Sequence, residues 1–253
     1  MLGGARGSVV GWWRKARGGE MARAAGAQEI LDGSVPAADR EKSLLDIGRL
    51  NALFGGRRVT LAALEKLVAA SPPGRRLTVL DVGTGIADIP RAVVRWCRRA
   101  GRSVRVFALD RDAGTLAIAR AASAGYPEIV FLQGDALDLP VRRHSVDIIL
   151  SALTLHHLEP GPAERYLAQM ARSTRWGLVV NDLERSRAAW LLVWLVTRTF
   201  ATSGISRHDG PLSVCRAYTA REVRALCDAA GLGAARIHRY PALFRQCVVL
   251  VKA

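Results

Sequence analysis

Hydrophobic and polar positions change period several times along this 253-residue chain. Between Ala38 and Phe54, Leu44, Leu45, Ile47, Leu50, Leu53 and Phe54 recur at helical spacing, and Gly55-Gly56 stops the run. A second helix is expected over about Val59–Ala70, closed by Ser71-Pro72-Pro73-Gly74. From Leu77 onward, short β-branched runs alternate with helical patterns. Strands are expected at Thr78–Val82, Val104–Leu109, Ile129–Gln133, Val146–Leu150 and Leu178–Asn181, with helices at about Ile89–Arg99, Ala113–Ala124 and Pro162–Thr174. Thr219 opens a further helix with Glu222 in the capping-box position, and Gly231 ends it. Two last runs, about Ala235–Tyr240 and Arg245–Val251, are joined by a short turn and should pair as an antiparallel hairpin. The alternation predicts an α/β fold, a mostly parallel sheet with helices on both faces.

One stretch stands out chemically. Thr78 to Pro90 reads Thr-Val-Leu-Asp-Val-Gly-Thr-Gly-Ile-Ala-Asp-Ile-Pro: a buried strand, a turn through Gly83 and Gly85, then a helix start. Glycines let the chain turn sharply and let a ligand lie against the backbone. The helix start adds free N–H groups and a positive dipole end. A dinucleotide fingerprint needs glycine or alanine at the sixth position counted from Gly83, where this chain has Asp88. That acid would repel a pyrophosphate, which marks down a nicotinamide-dependent hydride-transfer enzyme; Asp88 is read as a helix N-cap. In a parallel sheet, ligands bind outside the carboxyl ends of the strands, and Asp110 and Asp135 end the next two. A carboxylate such as Asp110 only accepts hydrogen bonds, which suits a ribose diol.

This run resembles motif I of the class I S-adenosylmethionine-dependent methyltransferases, with Ala87 where that family often has a third glycine. The resemblance covers about Leu77 to Ala253. It implies a Rossmann-like, seven-stranded, mostly parallel sheet whose last strand is antiparallel. It implies an enzyme with S-adenosylmethionine as cofactor and S-adenosylhomocysteine as product. On that resemblance Asp81, Gly83, Thr84 and Gly85 hold the methionine end, Asp110 with Arg111 the ribose, Asp135-Ala136 the adenine, and Ser151 borders the cofactor.

The segment Ile148 to Leu158, which in this family borders the transferred methyl, ends in His156-His157. The pair resembles the ubiquinone- and menaquinone-type and small-molecule O-methyltransferases, in some of which a histidine at the place of His156 is the general base. A phenol, with pKa about 10, needs such a base near neutral pH. The opposite reading is a hydrogen-bonded loop histidine, evenly weighted for His156 and favoured for His157, which is placed on the substrate side. Asn181 to Ala217 is long for a connection, and Ala188 to Val196 is apolar nearly all round but too short to span a bilayer. By resemblance, an insertion here builds the acceptor pocket, so Trp190 and Trp194 are expected to line an aromatic, hydrophobic cavity. A plain core helix carries equal weight, and peripheral membrane contact helped by nearby arginines is a third reading. Ser206 to Arg216 is polar and read as turn-rich; His208 beside Asp209 is a second candidate base, and Arg216 a holder of an acidic or phenolate oxygen. The segment resembles one in bacterial methyltransferases found beside type III polyketide synthases, implying a phenolic or quinol polyketide acceptor and a place in secondary metabolism.

The formal net charge is +15 and the pI about 11.0, which alone points to nucleic acid or an anionic surface. Arginine is spread along the chain rather than gathered, so a solvated basic surface is favoured over an RNA or DNA methyltransferase. The Asn/Asp/Ser-Pro-Pro-aromatic tetrad of amino-methylating DNA enzymes is missing too. Cys97, Cys215, Cys227 and Cys247 form no CxxC pair and no metal spacing, so no metal is expected and a reducing, cytoplasmic setting is. Met1 to Glu20 lacks the apolar core of a signal peptide, and Met21 is read as an alternative start. The expected organisation is a poorly ordered tail over 1–38, a helical cap over 39–75 and the cofactor-binding domain over 76–253, with 184–217 as a substrate-side insertion. A non-catalytic binding protein on the same fold is the remaining alternative. The oligomeric state is not legible.

Overall fold

In a computed structural model, residues 16–17, 20–69 and 74–252 are described. Seven strands form one sheet: β1 Leu77–Val82, β2 Val104–Asp110, β3 Ile129–Gln133, β4 Val146–Ala152, β5 Thr174–Leu183, β6 Arg236–Tyr240 and β7 Arg245–Val251. Their spatial order is β3-β2-β1-β4-β5-β7-β6. The first five are mutually parallel, and β7 runs antiparallel to both β5 and β6. The β6–β7 hairpin thus inserts its second strand next to β5, as a short Pro241–Leu243 turn permits. Buried on both faces, β1 and β4 read as continuous apolar runs rather than alternating ones.

Among the described residues, eight α-helices surround the sheet: α1 Ala37–Leu53, α2 Gly56–Val68, α3 Asp88–Arg99, α4 Ala113–Ala122, α5 Pro160–Ser173, α6 Arg187–Phe200, α7 Gly204–Arg216 and α8 Ala220–Ala229. One core lies under α5 and α8, around Tyr166, Leu167, Met170 and Leu226. A second lies under α2 and α3, around Leu64, Leu67, Val93 and Val94. Thus α2 is a sheet-packing helix, while α1 meets α2, α4 and α7. Ser206–Arg216, read as turn-rich, belongs to helix α7, whose start is capped by the Ser203 hydroxyl. Pro211 sits inside that helix, and Asp209 spends its carboxylate on another segment, so local composition misled. The expected capping box at Thr219 and Glu222 is present.

Part of the segment expected to be a poorly ordered tail up to Ala38 is described. A two-residue ladder joins Ala16–Arg17 to Glu20–Met21, and residues 21–35 run as a strap across α6 and α7. Met21 and Ala24 are buried against Trp190, Val193, Leu212 and Cys215. The rest of the proposed tail before Glu20 lies outside the described residues. No helix among the described residues is long and apolar enough to cross a membrane.

At the edge of the sheet opposite the strand tips, Asp147 is fully buried. It accepts from the Thr78 amide at 2.9 Å and hydroxyl at 2.7 Å, and from Arg75 at 2.9 Å and Arg175 at 3.0 Å. A buried carboxylate with that many donors locks the β1–β4 register. Asp147→Ala strands a buried amide and is expected to lower the unfolding free energy by about 3 kcal/mol in a denaturant titration, without changing the far-ultraviolet circular dichroism of the folded state.

Candidate active site

The turn after β1 is held open by backbone geometry. Gly83 and Gly85 have φ of 72° and 52°. The amides of Gly83 and Thr84 both donate to the Leu109 carbonyl at 2.9 Å, which pins the turn to β2. A Cβ on Gly83 would overlap the Thr154 hydroxyl, so no side chain fits there. Ala87, where a third glycine was noted as usual, also has positive φ, 57°, a conformation that favours glycine. Ala87, not Asp88, is the N-cap of α3. The Asp88 carboxylate instead accepts from Asn51 and from Arg57, each at 2.9 Å, which corrects its reading as a cap.

Carboxylates crowd beneath this turn. Asp81 is buried, and Thr84 Oγ1 donates to it at 2.7 Å. Burial pushes the Asp81 carboxyl up to about 8; the Thr84 bond opposes the shift, and the charges of Asp88 and Asp110 add to it. Asp110 accepts from the amides of Gly85 at 3.0 Å and Asp112 at 3.1 Å, yet burial still raises it. The amide of Gly134 donates to the Asp110 carbonyl at 3.0 Å, which sets the β3 tip, with Asp135 exposed and Ala136 half-buried, beside that of β2. Asp135 turns one oxygen to the Leu137 amide at 2.8 Å. Asp81, Gly83, Thr84, Gly85, Asp110, Asp135 and Ala136 thus share one rim. Half-exposed glycine backbone lies over desolvated acids, an arrangement that suits a ligand carrying positive charge and hydroxyl donors. Ser151 does not belong to the rim: it is fully buried and its Oγ accepts from Tyr166 Oη at 2.7 Å. Arg111 is exposed and reaches Asp32 at 3.3 Å, away from the turn.

A second cluster lies beyond the β4 tip. Leu153 turns with φ 56°, Thr154 stands against Gly83, and a short 3-10 turn, Leu155–His157, follows. Asp182, on β5, accepts from the His156 amide at 3.0 Å and pairs with His156 Nδ1 at 2.7 Å. His157 Nδ1 pairs with Asp32 at 3.0 Å. Glu29, from the strap, lies 3.6 Å from His156 Nε2 and 3.8 Å from His157 Nε2, and accepts from Ser213 Oγ at 2.9 Å. Arg216 lies 3.3 Å from Asp32 and 3.6 Å from Glu29. Burial would raise Asp182 and Asp32, but His156 outweighs it for Asp182, and His157 with Arg216 for Asp32, so both carboxyls lie below the usual range. Burial works against charge on His157, but Glu29 and Asp32 outweigh it and raise that imidazole. The strap is fastened over the cluster by Arg23, which donates to Glu159 at 2.7 Å and to the Leu158 and Arg216 carbonyls at 2.8 Å, and by Asp209, which takes the Ile30 and Leu31 amides at 3.0 Å.

His156, His157 and Arg216 therefore meet in one cluster. His208 does not: its side chain is 42% exposed and pairs with Asp209, apart from the cluster. Trp190 is buried in the core between α6, α7 and the strap, and Trp194 stacks on it at 6.3 Å beneath Arg198. The expected aromatic-lined cavity is corrected accordingly. A cleft of about 570 Å³ is lined instead by Met21, Arg185, Arg187, Arg221 and Phe244, and one of about 380 Å³ by Leu50, Leu53 and Phe200. Three cluster residues were missed. Asp182 had a signal, an acid at a strand tip like Asp110; Glu29 and Asp32 lay in the segment set aside as tail.

Residues 79–177 match the family model described as a methyltransferase domain. Over 63 residues, a quarter of the chain, it is 49% identical to the 2-phytyl-1,4-naphtoquinone methyltransferase of Thermosynechococcus vestitus, of which it covers 27%. Among solved structures, human N-acetylserotonin methyltransferase in complex with SAM matches 86% of this chain and 57% of that one, with TM-score 0.62 and 15% identity. The citrinin polyketide synthase CMeT domain matches 74% of this chain and 49% of that one, with TM-score 0.56 and 17% identity. The chain spans about a quarter of the quinone methyltransferase, so that match speaks for the domain, and the two structures speak for the fold. With the strand order and the glycine turn above, residues 79–177 match a methyltransferase domain, and the chain carries the Rossmann-like fold of these solved methyltransferases.

Proposed function

We propose that this protein is an S-adenosylmethionine-dependent methyltransferase acting on an oxygen of a hydrophobic, phenolic or quinol-type small molecule. The observation that carries the reading is the rim of desolvated acids under the Gly83–Gly85 backbone. A cationic ligand relieves the mutual repulsion of Asp81, Asp88 and Asp110, and a diol can give its hydrogen bonds to Asp110. S-adenosylmethionine, when bound, supplies a methyl group on a sulfonium and leaves as the neutral thioether. In this reading Asp81 faces the cationic end, Gly83 and Gly85 leave room for it, and Asp135 with Ala136 receives the adenine. The chain's remaining tasks are to align the acceptor, exclude water and free the acceptor oxygen of its proton. The His156–Asp182 pair is where the chain provides for that proton: when Nδ1–H is given to Asp182, the neutral imidazole keeps a lone pair on Nε2.

A phenolic or quinol acceptor is supported by the His156-His157 pair and by the quinone methyltransferase relative. A contact with lipid is supported by the solvent side of α6, where Leu191, Leu195 and Phe200 are exposed beside Leu53 of α1. An RNA acceptor remains the rival because of the +15 charge.

S-adenosylmethionine titrated calorimetrically should bind, and Asp110→Ala should weaken it by more than about tenfold. Asp81, held near 8 by burial, is mostly protonated at pH 7 before binding and must ionise to face a cation. Affinity should therefore rise with pH, by up to about tenfold per unit between pH 6 and 7.5, with proton release, and Asp81→Asn should flatten that dependence. Across alkylresorcinols, hydroxyquinones, simple phenols and RNA, turnover is expected only with the hydrophobic phenols or quinols. Methylation of RNA alone, steeply weakened by salt, overturns the acceptor class. His156→Ala should lower turnover by at least about 100-fold with cofactor affinity intact.

A further inference from the structure

The two histidines beyond the β4 tip share an arrangement that methyl transfer does not by itself require. Each has its Nδ1 fixed by a carboxylate, His156 by Asp182 at 2.7 Å and His157 by Asp32 at 3.0 Å. Each turns its Nε2 toward the same carboxylate, Glu29, at 3.6 and 3.8 Å. Those gaps are too long for hydrogen bonds. They lie close to the separation of about 3.4 Å between two donors each about 2.1 Å from a tetrahedral zinc ion. One Glu29 oxygen and the two histidine nitrogens all lie within 4.8 Å of one another. The rings are 4.3 Å apart, so a modest tilt closes the set. A histidine that ligates a metal usually gives its other ring nitrogen to a carboxylate, which fixes tautomer and direction, and both histidines here have that support. Ser213 Oγ donates to Glu29 Oε1, the oxygen that faces His156, and so fixes the carboxylate. Three carboxylates surround the two imidazoles, answered inside the cluster by the single buried guanidinium of Arg216; Arg111 reaches Asp32 only from the solvent side.

From this convergence we propose that Glu29, His156 and His157 bind one divalent transition-metal ion, with Asp182 and Asp32 as the outer carboxylates that aim the two rings. Two imidazoles and a carboxylate suit zinc and its first-row neighbours rather than magnesium or calcium. Three protein ligands leave a coordination position free, as in sites where an oxygen ligand is activated. The site goes beyond the cofactor rim and stands on geometry alone; with the ion bound, the Nε2 lone pair of His156 is a ligand and no longer a base, so the ion would take over activation of the acceptor oxygen, a use that rests on the proposed methyl transfer. Sequence spacing gave no hint of it, because Glu29 comes from the strap and the histidines from the turn after β4, more than a hundred residues later. It also revises the expectation of no metal, which rested on the cysteines.

The test uses the full chain without a histidine tag, stripped with a chelator and dialysed. Zinc added in calorimetry should bind at one equivalent, and elemental analysis after gel filtration should find about one zinc per chain. Cobalt should give the intense visible absorption of a four- or five-coordinate site. Glu29→Gln and His157→Ala should each weaken zinc by more than about 100-fold, and Asp32→Asn by about 10- to 100-fold, the usual cost of losing an outer partner. S-adenosylmethionine affinity, measured on the same samples, should not change in any of them, which separates failure here from failure of the methyltransferase reading and reports a folded protein. A wild-type chain that retains no zinc and leaves cobalt with its pale six-coordinate aqua spectrum overturns the proposal. So does zinc binding that survives both ligand substitutions unchanged.

Discussion

Desolvation of carboxylates is the constraint on which the rest of the structure turns. Asp81 closes the central strand where no water reaches it, and its acid neighbours Asp88 and Asp110 come from the next helix and the next strand. Every surrounding feature answers that cost. Thr84 gives Asp81 a hydroxyl, Gly85 gives Asp110 an amide, and Asn51 and Arg57 draw the Asp88 charge away from the turn. What is left unanswered is directed at the half-exposed glycine backbone, where the proposed cofactor would lie. A net charge of +15 over the whole chain gives no warning of this local excess of acid.

The same physics organises the acceptor side. His156 and Asp182 are nearly inaccessible, and such groups persist only when each polar atom has a partner. These two partner each other, and the charged and polar groups around them come from the strap, Glu29 and Asp32, and from the end of α7, Ser213 and Arg216. Arg23 and Asp209 fasten the strap by hydrogen bonds from charged groups to backbone, stronger than neutral ones. Segment 21–35 therefore packs over the histidine cluster. Two of its apolar residues, Met21 and Ala24, fill the seam above Trp190 and Cys215.

The sheet was legible because buried parallel strands write themselves as β-branched runs, and all seven expected strands occur within a few residues of their expected bounds. The glycine turn was legible because Gly83 and Gly85 occupy conformations that other residues resist, and acids at strand tips mark Asp110 and Asp135. Helix α7 was missed because Gly204, Gly210, Pro211 and paired polar residues imitate a turn, whereas packing against α6 holds them helical. Trp190 was read toward a ligand because an all-round apolar helix shows no direction. Only the fold reveals that its buried side is taken by the strap and α7.

By itself, then, the order of residues determined the alternation of strands and helices, the backbone turn after β1 and the acids at the strand ends, since periodicity and glycine conformation act over neighbouring positions. Tertiary structure alone decided which histidine faces which acid, that Ser151 lies beneath the rim and that Asp88 serves Asn51 and Arg57. These pairings join residues remote in sequence, and burial, which removes water as the competing partner, selects among them.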